Sequence, residues 1–386
     1  MISAALLERV ACPVCLEAVG CARCGLDRQD HVACVERYAA RAGCGCGGPD
    51  KVRLGRASGE LSCSCCGSRY ALDEEQGYVD LRPKTAVGEL TQYADHDFHE
   101  RLGVNEAPPY LSARVKADMM LEMLKPAFDE PLLDLGCGAG KLALYAGRSG
   151  ARPAGLDVAP FFLDGAKGRI DLVLGDLRRL PFRKHSFPAA YSLDVLEHLA
   201  ESGVLEVLLE ARRALARGGR LFVYTHAMES SRLAAFQRAV NRLARRLGER
   251  GLIDHEREAM RKSDHLNAIR SHEHFDELCG RSGLRVTRRR YYNVFFKAMI
   301  EDLGLRLYER SRARQARDED RGDEPREPAG GHEQPVPAEL SGRATRAVAS
   351  LLTWLLKLDV VLLGGVRTGP FFGLLRPQAD LGRREA

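Results

Sequence analysis

The chain carries little net charge for its size: 58 basic against 53 acidic residues leave a formal +5 over 386 residues. A balance this mild permits an anionic partner, nucleic acid or membrane, without requiring one. Its first residues, MISAALLERVACPVC, lack the basic start and long apolar run of a secretion signal or anchor, so the expected compartment is the cytoplasm. Beyond residue 66 cysteine almost disappears: only Cys137 and Cys279 follow, whereas ten of the 12 come earlier. In a reducing compartment such crowding points to metal rather than to disulfides. What is present, 45% hydrophobic and 29% charged residues, suffices to bury one large core or two smaller ones.

The cysteine-rich head holds three CxxC pairs, Cys12 and Cys15, Cys21 and Cys24, and Cys63 and Cys66. Two thiolates at that spacing can reach one tetrahedral Zn²⁺. The flanks, LLERVACPVCLEAV and LSCSCCGSRYALDEEQGYVDLRP, resemble a small zinc-ribbon module, which implies one ion on Cys12, Cys15, Cys63 and Cys66. A second ion is expected on Cys21, Cys24, Cys44 and Cys46 of the intervening insert. The insert also resembles a prokaryotic RING-like cross-brace. That scheme pairs Cys12 and Cys15 with His31 and Cys34, and Cys21 and Cys24 with Cys44 and Cys46, and the choice between the two stays open. A segment this short needs metal to fold, so two structural zinc ions are expected, with recognition of RNA or a protein partner by the module's surface as the alternative.

Apolar spacing divides the chain into a zinc-binding module over 1–82, a helical lead-in over 83–130, a main domain over 131–311, a disordered linker over 312–340, and a C-terminal helix with a last strand over 341–386. TQYADHDFHERLG and LSARVKADMMLEMLKPAF read as helices, the second striped by Val115, Met119, Leu121 or Glu122, and Met123 and ended by Pro126. PLLDL, PAGLDV, DLVLGD, PAAYSLDV and RLFVYTH alternate with helices, the order of a doubly wound parallel α/β sheet. DEDRGDEPREPAGGHEQPVP has no apolar spacing and reads as disordered. In ATRAVASLLTWLLKLDVVLLGG, Arg346, Lys357 and Asp359 interrupt the apolar run, which predicts no transmembrane segment. An amphipathic helix packed on the sheet is expected, with membrane-surface contact through 344–375 as the alternative, and GPFFGLLRP as a last strand.

LLDLGCGAGK follows a strand and opens a helix, the context of a nucleotide site. Gly136, Gly138 and Gly140 permit a tight turn and close approach of a ligand to the backbone. Asp134, two positions before the first of them, would repel a pyrophosphate and suits a cationic sulfonium. Asp157 ends the next strand, where a carboxylate can accept both ribose hydroxyls, and Asp176 follows the third. With SLDVLEHL closing the fourth, the chain resembles the class I S-adenosylmethionine-dependent methyltransferases, strongly from Leu132 to His226 and weakly to Arg376. The resemblance implies a seven-stranded Rossmann-like sheet and S-adenosyl-L-methionine as cofactor. Asp134, Gly136, Gly138 and Gly140 then meet methionine, Asp157 the ribose, and Asp176 with Leu177 the adenine. Asp194, in the turn after the fourth strand, is counted among the cofactor-binding residues.

A weakly acidic acceptor needs a base, and His226 is the first candidate, followed by Glu197 and His198. The chain has neither the Asn-Pro-Pro-Tyr or Asp-Pro-Pro-Tyr of enzymes that methylate exocyclic adenine amines nor the Pro-Cys of cytosine-C5 enzymes. DVLEHL resembles the branch that acts on small molecules, which predicts a small or carrier-bound metabolite as substrate. A zinc ribbon joined to this fold instead resembles ribosomal RNA guanine methyltransferases. RNA, ribosomal or transfer, is therefore the alternative, held by Arg238, Arg242, Arg245 and Arg246 of a basic helix over 231–250. That helix carries Leu233, Phe236, Val240, Leu243 and Leu247 on one stripe. A zinc-containing adaptor with a non-catalytic fold is the alternative of another class.

Overall fold

The computed structural model describes residues 2–11, 13, 54–57, 60–63, 68–82, 106, 108–229, 234–250, 265–292, 295–300 and 343–380. In chain order its elements are α1 (Ala4–Leu7), β1 (Leu54–Ala57), β2 (Glu60–Cys63), β3 (Arg69–Asp73), β4 (Tyr78–Asp80), α2 (Leu111–Leu124), β5 (Pro131–Leu135), α3 (Lys141–Gly147), β6 (Arg152–Asp157) and β7 (Asp171–Leu174). They continue with β8 (Phe187–Leu193), α4 (Glu201–Ala214), β9 (Leu215–His226), α5 (Ala234–Glu249), α6 (His272–Arg281), β10 (Leu284–Tyr291), α7 (Phe296–Met299), α8 (Arg343–Leu363) and β11 (Pro370–Pro377). Single 3₁₀ turns at Leu177–Arg179 and Leu196–His198 follow β7 and β8.

One sheet runs β1-β2-β3-β4-β7-β6-β5-β8-β9-β11-β10 among the described residues. Its centre, from β4 to β9, is parallel, and β11 and β10 close one side antiparallel. Every predicted strand forms, and GPFFGLLRP inserts between β9 and β10. The expected seven strands are β5 to β11, but the sheet has eleven. The head adds four, because Tyr78–Asp80 hydrogen-bond in register with Leu172–Leu174.

That addition merges cores that the sequence suggested were separate. Ile2, Leu6, Val10, Leu61, Cys63, Tyr70, Leu72, Val79 and Leu81 pack in the same buried cluster as Leu133, Leu135, Leu156 and Val173. Ser3 clasps Asp171 through its amide at 2.8 Å and its hydroxyl at 2.6 Å, and Val10 forms a bridge with Phe182. Cys63 ends β2 in this core, whereas the other seven expected zinc ligands, TQYADHDFHERLG and the linker lie outside the described residues.

On the opposite face α2 and α8 cover the sheet. Val115, Met119, Met120 and Met123 pack with Leu132, Tyr191, Phe222 and Tyr224 beside Leu356 and Val360. Lys125, at φ 47°, ends α2 just before Pro126. Two of the charges that interrupt α8 are used internally: Lys357 pairs with Asp118 at 2.5 Å, and buried Asp359 accepts from Phe296 and Lys297 amides at 3.0 and 3.1 Å, capping α7. Capping residues satisfy orphan amides at a helix start. No helix among the described residues is long and apolar enough to cross a membrane.

Candidate functional site

The carboxyl ends of β5, β6, β8 and β9 meet in one crevice, where ligands bind in open parallel sheets. At β5 the chain turns through Gly136 (φ 85°), Gly138 (φ 51°) and Gly140 (φ 83°), and Gly140 caps α3. Gly136 and Cys137 amides donate to Leu156 O at 2.9 and 3.1 Å, which pins the turn to β6. The three glycines differ in purpose. A Cβ at Gly136 would lie 2.5 Å from Val195 Cγ2, and one at Gly140 would lie 3.0 Å from Ala166 and Ile170. Only Gly138 faces open space, so ligand approach to the backbone is a property of that position, and packing governs the other two.

Asp157 ends β6 and accepts from Gly138 N at 2.7 Å and Ala159 N at 3.1 Å. A carboxylate has about four acceptor sites, so these amides orient Asp157 without exhausting it. Asp176 does two local jobs: it caps the turn Leu177–Arg179 through Arg178 N at 2.8 Å and pairs with the Arg178 guanidinium at 3.1 Å. Leu177 packs against the core beside it.

Asp134 departs from its expected electrostatics. It is 2% exposed and accepts from Tyr191 Oη at 2.7 Å. Burial pushes its carboxyl up to about 8, and Asp157 adds to the shift against the Tyr191 hydrogen bond. Asp134 is therefore mostly neutral at pH 7, so the anionic repulsion read from the sequence is weakened by burial. Burial likewise raises the Cys137 thiol well above its ordinary value, which suits packing rather than nucleophilic work.

The β8 side is built from side chains. Asp194, at φ 55°, pairs with Lys116 of α2 at 2.5 Å, and the same ammonium lies 4.6 Å from the centre of the Tyr224 ring. Desolvation pushes the Asp194 carboxyl up, while Lys116, with His226 and Lys297, pulls it down; the pull wins, as suits a side chain still 41% exposed. Glu197, 1% exposed, accepts from Thr225 Oγ1 at 3.0 Å through Oε2 and sets Oε1 3.5 Å from His226 Nδ1. Tyr224 Oη lies 3.2 Å from His226 Nε2. Both nitrogens of His226 thus have a neighbour, the buried Glu197 carboxylate at Nδ1 and Tyr224 Oη at Nε2.

His198 lies beside Glu197 in the same turn and meets His265 edge-to-face at 4.6 Å. The structure brings His226 and Glu197 together, leaves His198 with a different partner, and adds Lys116, Tyr191, Thr225 and His265, which the sequence did not suggest. Along α5, Val240 is buried as expected and Leu247 is half-buried, but Leu243 is 46% exposed and Ala244 is buried in its place, while Leu233 lies outside the described residues. Arg242, Arg245 and Arg246 are exposed, as expected of a basic face.

Residues 133–223 match the family described as a methyltransferase domain. The chain is 36% identical over 120 residues to an uncharacterized 37.1 kDa transposon protein of Streptomyces fradiae, covering 28% of this chain and 34% of that one. It is 30% identical over 152 residues to the 18S rRNA (guanine-N(7))-methyltransferase of Mus musculus, covering 33% and 54%. It is 31% identical over 101 residues to a sterol 4-C-methyltransferase of Caenorhabditis elegans, covering 24% and 30%. The chain thus spans between about a third and about half of the length of these relatives. The match spans the segment from β5 to β9.

Proposed function

We propose that the chain is an S-adenosylmethionine-dependent methyltransferase whose acceptor is a small or carrier-bound metabolite. The observation that carries this reading is the cradle at β5 and β6: Gly138, open on its side-chain face, donates to the carboxylate of Asp157, in the same parallel sheet whose β8–β9 end holds His226 and Glu197. The residues fit the cofactor. Asp157 would hold the ribose, the amides of the 136–140 turn the amino-acid portion, and Asp176 with Leu177 the adenine side. When bound, the cofactor supplies an electrophilic methyl group on a sulfonium.

The chain's part is to bind, orient and exclude water, since in-line transfer gains most from positioning. His226 takes the proton from the acceptor, and Glu197, held by Thr225, stabilises the imidazolium that results. Lys116 keeps Asp194 ionised at the mouth of the site, adding a fixed negative charge that favours a cationic ligand. Calorimetric titration with S-adenosylmethionine tests the cofactor, and uptake of labelled methyl groups in an extract separated into metabolites and RNA tests the acceptor. No binding would remove the reading.

The rRNA-modifying relative and the exposed Arg242, Arg245 and Arg246 favour RNA as the second reading. In that case binding should weaken steeply with salt, each lost phosphate contact reducing the slope by about one unit. For the head we propose two zinc ions on the cysteines. The three CxxC pairs support this, and metal analysis of the purified chain should find both ions.

A further inference from the structure

Three chemistry-bearing side chains meet at the turn after β8, and one of them, Glu197, also faces the His226 base. Glu197, His198 and His265 each offer a ligand atom, and these atoms lie within 4.8 Å of one another. We propose that they form a divalent-metal site of the two-histidine, one-carboxylate type, which suits Mn²⁺, Fe²⁺ or Co²⁺ and keeps coordination positions open for a substrate oxygen.

The scaffold holds the three in place. Glu197 and His198 share the turn Leu196–His198, and the segment after His265 is latched to it, because Leu266 N and Asn267 N both donate to Glu197 O, at 2.9 and 3.0 Å. Thr225 Oγ1 fixes the Glu197 carboxylate from behind, the outer-shell support that metal-binding carboxylates characteristically receive. The imidazoles of His198 and His265 meet at 4.6 Å and 89°. Two rings bound side by side to one ion through nitrogens at about 2.1 Å place their centres roughly 4.5 Å apart. The ring separation is compatible with shared coordination, and the ligand atoms, within 4.8 Å of one another, have to draw together on the ion. The carboxylate leaves one positive charge of the ion to attract an anionic oxygen.

Resting on the methyltransferase reading above, this site narrows the acceptor to a hydroxyl compound. A bound ion lowers the pKa of a coordinated hydroxyl. The proton passes to His226, the oxygen bonds to the methyl carbon, and the sulfur–methyl bond breaks with its electron pair left on sulfur.

The test titrates the full-length chain with Mn²⁺ and follows the loss of the free-ion signal by electron paramagnetic resonance, with S-adenosylmethionine affinity measured on the same samples. Mn²⁺ is chosen because thiolates of the head compete poorly for it. One equivalent should bind, and His265→Ala and His198→Ala should each weaken it by at least about tenfold while cofactor affinity stays unchanged, which shows that the variants fold. Glu197→Gln should weaken it too. No Mn²⁺ binding by the parent chain, or binding equal in both histidine variants, overturns the site and marks the cluster as packing alone. Metal binding without cofactor binding would retain the site and remove the methyltransferase reading instead.

Discussion

The two halves of the crevice are built from different materials. At β5 and β6 the site is mostly backbone: three left-handed glycines, amides pinned to Leu156, and one carboxylate at a strand end. At β8 and β9 it is side chains drawn from distant stretches, with Lys116 from α2, His265 from beyond α5, Glu197 from the turn after β8 and His226 from the end of β9. The first half depends on conformations that few residues adopt, so it tolerates little change of shape. The second depends on charges and protons, so it tolerates changes of shape better than changes of chemistry.

The sharpest way to break this contrast is at His226. His226→Gln keeps a polar side chain of similar reach but cannot take a proton, and turnover should fall by about 10² to 10⁴. Cofactor affinity and melting temperature should hardly move. Steady-state kinetics beside a cofactor titration would check both, and a large loss of affinity would mean the halves are not separable in this way.

On the backbone side the larger effect is expected at Gly136. Gly136→Ala forces a Cβ at φ 85° to within 2.5 Å of Val195, with expected destabilisation of about 2 to 4 kcal/mol. Gly138→Ala carries the left-handed cost alone, about 1 to 2 kcal/mol, since nothing lies within 4 Å. Thermal melts of both, with Val195→Ala added to the first, measure the difference. Equal losses would show that packing on Val195 is unimportant.

Asp157→Ala should weaken S-adenosylmethionine binding by about 1 to 3 kcal/mol, because the variant cannot accept the ribose hydroxyls and leaves the Gly138 amide unpaired. Calorimetry reads this directly, and unchanged affinity would sink the ribose assignment.

The last contrast is one of pH dependence and is expected from Asp134→Asn. Folded Asp134 keeps its proton up to about pH 8, whereas in the unfolded chain it ionises near an ordinary carboxylate value. Between those values the folded state binds more protons, so this group's contribution is full below about pH 4 and is lost as pH rises through about 8. The variant should lack that downward slope in denaturant titrations yet differ little from the parent near pH 7. A slope of the opposite sign would show that Asp134 is ionised in the folded chain.

Much of the backbone half was readable from the sequence, because its parts are contiguous: a strand, a glycine turn and a carboxylate 19 positions past Gly138 carry their own signals. The strands of the doubly wound sheet were readable for the same reason. The side-chain half was readable only where it follows β8 and β9 directly. His265 and Lys116 have no local pattern that marks them, since their meaning arises from tertiary packing. Asp134 was found in position but not in charge state, because burial decides ionisation and the sequence does not display burial. The four added strands were missed because the cysteine pattern suggested a separate module, whereas Val79 and Leu81 belong to the sheet's own core.

That pairing of β4 on β7 also governs solubility. Without it, β7 would be the outermost strand of a parallel array, presenting the unpaired amides and carbonyls of Leu172, Val173 and Leu174 to any other chain. Exposed apolar edge strands are templates for intermolecular pairing. A chain trimmed to the methyltransferase segment would therefore be prone to aggregate, even with every residue of the crevice intact.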